Sequence, residues 1–168
     1  ERSASKKLFT ADENGTAFIT VAGPLEPKPD ICAIMFDMEM TTYQDIILAT
    51  KAAEADENIN NITYLFDTPG GNVVGLFKTA DVIRNTTKPT KAVVYGMCAS
   101  AGYALASQCD TIEGENISNE IGSIGVATEI QDNSKQAEGM GITRYVLTSA
   151  NGKTWRYDII FYLLLFLL

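Results

Sequence analysis

The sequence predicts an α/β fold around a largely parallel sheet, and three observations carry that prediction. β-rich apolar runs alternate with stretches of helical spacing. The clearest runs end in glycine-containing turns, two of which lead into helical stretches. The chain has 168 residues, 46% hydrophobic and 20% charged, which suits one compact domain with a sizeable core. No internal repeat or low-complexity linker interrupts the pattern.

Taken in order, residues 1–15 are polar and are expected to form a flexible arm. Thr16 to Val21 reads as a strand that stops at Gly23-Pro24. Residues 24–37 carry three prolines and an apolar ICAIMF stretch, with no clear period; they read as a surface excursion bearing an apolar patch. Thr41 to Asp56 is expected to be a helix with a threonine cap, its apolar face running through Tyr43, Ile46, Ile47, Thr50 and Ala53. Asn61 to Asp67 is a strand stopped by Thr68-Pro69-Gly70-Gly71. Asn72 to Asn85 then has helical spacing through Val73, Leu76, Phe77, Ala80 and Ile83, with Asn72 as cap. Lys91 to Tyr95 is a second buried strand, and Ala99 to Ser107 a short helix beyond it. A short apolar piece at Thr111-Ile112 follows, then a strand over Ile124 to Ile130, a helical turn or two over 132–139, and a last strand over Ile142 to Leu147.

Composition narrows the function. The net charge of -8 and pI near 4.5 repel phosphate backbones, so nucleic acid is not an expected partner. Cys32, Cys98 and Cys109 form no CxxC pair and read as reduced thiols of a cytosol-like compartment. ERSASKK is followed by no apolar run of signal-peptide length. The chain contains no histidine, which removes Ser-His-Asp and Cys-His catalysis and any histidine-ligated metal site. A nucleophilic hydrolase of this composition needs another base, and lysine is the usual substitute.

Four motifs carry candidate chemistry. In Asp67-Thr68-Pro69-Gly70-Gly71-Asn72, paired glycines let a ligand approach the main chain, and N–H groups at the following helix start can face an oxyanion. The same residues also make an ordinary tight turn. In Gly96-Met97-Cys98-Ala99-Ser100-Ala101-Gly102-Tyr103, a serine in the first helical turn lies near the positive end of the macrodipole, and the Ala101 N–H adjoins it. This is not the GxSxG elbow, because Cys98 stands where glycine is required. A capping or packing role for Ser100 is the plainer alternative. In Ile121-Gly122-Ser123-Ile124-Gly125-Val126, two glycines frame a serine at a strand start, either a bend or a hydroxyl placed to orient an amine. The fourth is Lys153, in Ser149-Ala150-Asn151-Gly152-Lys153; composition alone does not prefer it over Lys78, Lys88, Lys91 or Lys135. As a base it must be neutral, which means lowering its pKa from ~10.4 by roughly 3 units, about 4 kcal/mol, in a desolvated pocket.

Together DTPGGN, GMCASAGYALAS, IGSIGV and the Ser-x-x-Gly-Lys setting resemble the signal peptide peptidase A family, especially its short phage-encoded members that act in capsid maturation. The resemblance runs over about residues 16–153. It implies a Clp/crotonase-type fold of repeated ββα units and a serine endopeptidase with a Ser/Lys dyad. Residue by residue, it implies Ser100 as nucleophile and Lys153 as general base. Gly71 and Ala101 would supply the oxyanion-hole N–H groups, and Ser123 would orient the lysine. The Clp protease subunit shares the fold but needs a histidine that this chain lacks. No cofactor is implied. The expected partners are an extended peptide bound by strand addition and further copies of the chain, in a host cytoplasm or an assembling head. Residues 16–154 are read as a single protease domain, and 155–168 as an atypical hydrophobic tail. That tail departs from the family and is read as the product of truncation or a frame change. It is too short to span a bilayer, which takes ~20 apolar residues.

Overall fold

The computed structural model describes residues 8–125 and 132–143, in two compact units divided between Ile124 and Gly125. The expected Ile124–Ile130 and Ile142–Leu147 strands fall mostly outside these residues, and Lys153 and the tail wholly so. The first unit is built on a six-stranded sheet in the order β1-β2-β5-β6-β7, with β8 also pairing β6. Its strands are β1 (Thr10–Ala11), β2 (Thr16–Ala22), β5 (Asn61–Thr68), β6 (Thr90–Ala99), β7 (Thr111–Gly114) and β8 (Glu120–Gly122). All pairings are parallel except β1 with β2, so the predicted α/β class with a largely parallel sheet is the one found. The arm expected at the N-terminus therefore contains a short paired strand.

Alternation along the central strands makes the core. Ala17, Ile19 and Val21 of β2 lie beside Ile62, Tyr64 and Phe66 of β5, which in turn lie beside Thr90, Ala92 and Val94 of β6. All nine are buried, because residues two apart in register share one face. Each large apolar side chain so buried contributes about 1.5–3 kcal/mol. The helices α2 (Tyr43–Ala55), α3 (Leu76–Arg84) and α4 (Ala101–Ala106) complete this core through Ile46, Ala49, Leu76, Ala80, Ile83, Ala101 and Leu105.

Two helix starts differ from the sequence expectation, and both shape the site. Thr41 and Thr42 form β4, which pairs in parallel with β3 (Leu25–Glu26), so α2 begins only at Tyr43. Thr42 is its cap, accepting from Asp45 N–H at 3.1 Å, while the Thr41 hydroxyl donates to Ala22 O at 2.7 Å. α3 begins at Leu76, four residues later than Asn72. The Asn72 side chain caps only a local turn, accepting from Val74 N–H at 2.9 Å, and Gly75 at φ 101° is the true cap. Gly71 stays extended because Leu25 pairs with it, an alternative the local sequence does not reveal.

The proline-rich excursion contains α1 (Ile31–Met35), capped by Asp30, which accepts from Cys32 N–H at 2.7 Å and Ala33 N–H at 3.1 Å. Ile31, Ile34, Met35, Phe36 and Met38 are exposed around it, so the expected apolar patch is present. The second unit contributes α5 (Ser134–Gly139), where helical turns were expected. Among the described residues no helix is long and apolar enough to cross a membrane.

Candidate active site

The site forms where β5 and β6 leave the sheet. β6 outruns the expected Lys91–Tyr95 strand and continues to Ala99, with a bulge between its two pairings with β5: Phe66 with Val94, then Thr68 with Cys98. In the bulge, the Asp67 carboxylate accepts from Met97 N–H at 2.9 Å. Gly96 is needed there, since a Cβ would stand 2.3 Å from Asp67 Oδ1. The Tyr95 phenol beside it is shifted upward by burial, then by the carboxylates of Asp67 and Glu39.

Ser100 follows β6 and precedes α4. It is the cap residue and not part of the first helical turn, at φ 52° and ψ −117°, and its side chain makes no capping hydrogen bond. A non-glycine residue held there costs about 1–3 kcal/mol and persists only when its surroundings hold it. The result is a sharp strand-to-helix turn, formed without the GxSxG sequence. The Ser100 N–H donates to Gly122 O at 3.0 Å, and its carbonyl accepts from Ala104 N–H at 3.0 Å. The half-buried hydroxyl has no hydrogen-bond partner among the described residues.

The glycine turn lies against it. A Cβ on Gly70, at φ +96°, would stand 2.8 Å from both Ala99 O and Ser100 Cβ and 2.9 Å from Ala101 N. On the far side Leu25 N–H donates to Gly70 O at 2.9 Å, and Asn72 N–H donates to Leu25 O at 2.8 Å. In an extended chain, neighbouring residues point their polar groups to opposite edges. The N–H and C=O of Gly71 therefore face away from β3, and the N–H has no acceptor among the described residues. Ala101 N–H, the first of α4, is likewise without one. Gly71 itself packs tightly, since a Cβ there would reach 2.1 Å from Leu25 O. The Gly71 N–H, expected at a helix start, thus lies in an extended segment.

Ser123 enters the same place through β8. Met97, Cys98 and Ala99 pair with Glu120, Ile121 and Gly122, so Ser100 and Ser123 are the next residues on adjacent chains. Ser123 is exposed at φ 54° and follows the end of β8, where the start of a strand was expected. Ser100, Gly71, Ala101 and Ser123 are thus brought together, and Lys153 lies outside the described residues. Two of the other lysines are engaged elsewhere. Lys88 Nζ donates to Ala53 O at 2.8 Å and Asp56 O at 2.7 Å, and Lys91 pairs with Glu113 at the opposite end of β6 from Ser100.

Sequence reasoning gave Asp67 and Thr68 no role of their own, reading Asp67 as the end of a strand and Thr68 as the front of a turn. Thr68, wholly buried, donates its hydroxyl to Gly23 O at 2.6 Å and accepts from Gly70 N–H at 3.1 Å, while its methyl lies against Gly102. A threonine two residues ahead of a glycine is a recognisable side-chain turn. The Tyr43 hydroxyl supports the turn from below by donating to Asn72 O, and burial, followed by Glu26, pushes that phenol up to about 12. Among the described residues no cluster of acidic or thiol side chains could hold a metal.

Residues 83–157 match Peptidase family S49. The span takes in Ser100, Ser123 and Lys153, and it shows the peptidase resemblance carried by the motifs. Among similar proteins, Capsid assembly protease C of Escherichia phage lambda is 38% identical over 96 residues, 56% of this chain and 21% of that protein. Head-tail preconnector protein GP5 of Enterobacteria phage P21 is 33% identical over 115 residues, 67% of this chain and 22% of that protein. The chain thus spans about a fifth of the length of these relatives. Among solved structures, an enoyl-CoA hydratase from Polaromonas sp. JS666 aligns at TM-score 0.48 and 24% identity, covering 63% of this chain and 47% of that one. A ClpP1 variant from Listeria monocytogenes aligns at TM-score 0.42 and 19% identity, covering 55% and 46%.

Proposed function

We propose that the chain is the serine endopeptidase its motifs describe, with Ser100 as nucleophile and Lys153 as base. The observation that carries the reading is the strained Ser100 turn, whose hydroxyl is unused by the fold and lies against the Gly70–Gly71 segment. Neutral Lys153 would take the Ser100 proton as Oγ attacks a peptide carbonyl, with Ser123 holding the amine in place. The N–H groups of Gly71 and Ala101 receive the oxyanion. The amide C–N bond then breaks, the leaving amine takes the proton back from lysine, and water releases the acyl-enzyme.

The free edge of Gly71 suits an extended peptide added as a strand. The phage relatives favour head or scaffold proteins as substrates over signal-peptide remnants, and assembly of several copies within the forming head. A fluorophosphonate probe tests the reading: wild type should be labelled and Ser100→Ala should not. Labelling that survives Ser100→Ala would move the nucleophile elsewhere.

A second reading is an assembly protein of the same fold without catalysis, favoured by the preconnector relative. A well-folded oligomer that never takes up the probe supports it.

A further inference from the structure

We infer that Asp67 is a positioning residue that sets the spacing between the Ser100 turn and the Gly70–Gly71 donors. The inference rests on the reading of Ser100 as nucleophile, but its structural part stands on the bulge alone.

Between its two registered pairings with β5, β6 spends three residues, Tyr95, Gly96 and Met97, against the single Asp67. Such a bulge breaks the ladder and bends the strand, leaving backbone groups that β5 cannot satisfy. One of these, the Met97 N–H, is satisfied by the Asp67 side chain at 2.9 Å. The carboxylate occupies the volume that any side chain on residue 96 would need: a Cβ there would meet Oδ1 at 2.3 Å, Cγ at 2.6 Å and Oδ2 at 2.9 Å. Glycine and aspartate are therefore fitted to each other across two strands.

The position of this contact gives it leverage. Asp67 is three residues before Gly70, and Met97 is three residues before Ser100. The hydrogen bond ties the two arms together at equal distances from the atoms that must cooperate. Immediately beyond it, Thr68 re-pairs with Cys98, and the arms meet again where Gly70 packs on Ser100. Without the carboxylate the bulge loses the side-chain bond that sets its depth, and the nucleophile can shift against its oxyanion donors. Misplacement of about 1 Å at a reacting centre costs about 100-fold in rate.

Asp67 touches neither the peptide carbonyl nor the serine hydroxyl in this scheme, so its effect should appear as geometry. The experiment uses full-length chain carrying Asp67→Ala, Asp67→Asn or Gly96→Ala. It measures fluorophosphonate labelling against probe concentration, thermal unfolding, and hydrogen exchange at Met97 N–H. Asp67→Ala should lower the maximal labelling rate about 100-fold while half-saturation moves by less than about threefold. Asp67→Asn, whose amide oxygen still accepts, should recover to within about tenfold of wild type. Gly96→Ala should resemble Asp67→Ala, and the double variant should be no slower than either single one, because both changes spoil the same contact.

Met97 N–H should be protected in wild type and in Asp67→Asn and should exchange freely in Asp67→Ala. Wild-type labelling by Asp67→Ala overturns the inference. So does a slowing shared equally by Ala and Asn that follows their loss of thermal stability. If wild type itself takes no label, the peptidase reading fails, and the exchange data alone decide whether Asp67 holds the bulge.

Discussion

Thr68→Val removes one hydroxyl from a side chain with no exposed surface. That hydroxyl joins Gly23 O, at 2.6 Å, to Gly70 N–H, at 3.1 Å. Valine keeps the methyl facing Gly102 and puts a second one in place of the oxygen, so shape is nearly preserved while both bonds vanish. Each bond is worth about 0.5–1.5 kcal/mol, and a buried group left unpaired costs about 1–3 kcal/mol, so the whole loss should be about 2–4 kcal/mol. Thr68→Ser keeps both bonds and gives up one methyl, a loss of about 1 kcal/mol. Urea denaturation should rank wild type above serine and serine above valine. Labelling of Ser100 should separate the variants further, because valine frees the Pro69–Gly70 peptide, next to the one that carries Gly71 N–H. If serine is destabilised as much as valine, or if valine is labelled at the wild-type rate, the turn is not held by this hydroxyl.

Gly70→Ala should cost about 2–4 kcal/mol, from a positive φ and a Cβ pressed against the backbone of Ala99 and Ala101; an unchanged melting curve would refute that packing. Lys153→Ala should abolish peptide cleavage while thermal melting still reports a folded chain, and full activity would move the base to another lysine. The wild-type rate should rise with pH as the amine deprotonates, and a profile flat from about pH 6 to 9 counts against a lysine base. Burial holds the Cys98 and Cys109 thiols protonated, pushing both from 9.0 up to about 12, with Asp110 adding to the effect on Cys109. The folded state then binds more protons than the unfolded one above pH 9, so stability is full below that pH and falls from there towards about 12. Urea midpoints taken across that range check the sign, and iodoacetamide at pH 8 should modify exposed Cys32 well before the other two.

Much of the fold was legible because its signals are local. Alternating apolar residues marked β2 and β5, and spacing along one face marked α2. The short strands β7 and β8 were not legible, since seven mostly exposed residues in two pieces carry no period of their own. The start of α3 was misplaced for a different reason. Asn72 has the chemistry of a cap, but a strand more than forty residues earlier pairs with Gly71 and wins. The serine and glycine members of the candidate site could be singled out because small residues at strand ends are unusual enough to show in a line of letters. Asp67 could not, because the N–H it accepts from belongs to a residue thirty positions away.

β6 takes two successive neighbours on one edge: β7 along Lys91–Val94 and β8 along Met97–Ala99. The link between them, residues 115–119, is exposed apart from a half-buried Asn119 whose amide reaches back to Gly96 O at 3.4 Å. Each neighbour is docked by its own ladder, and Glu115 N–H, donating to Val94 O at 2.9 Å, closes the first, so residues 116–118 lie outside both. The Ser100 end of β6 thus has a neighbour of its own, separate from the one that flanks the Lys91 end and joined to it through an exposed loop.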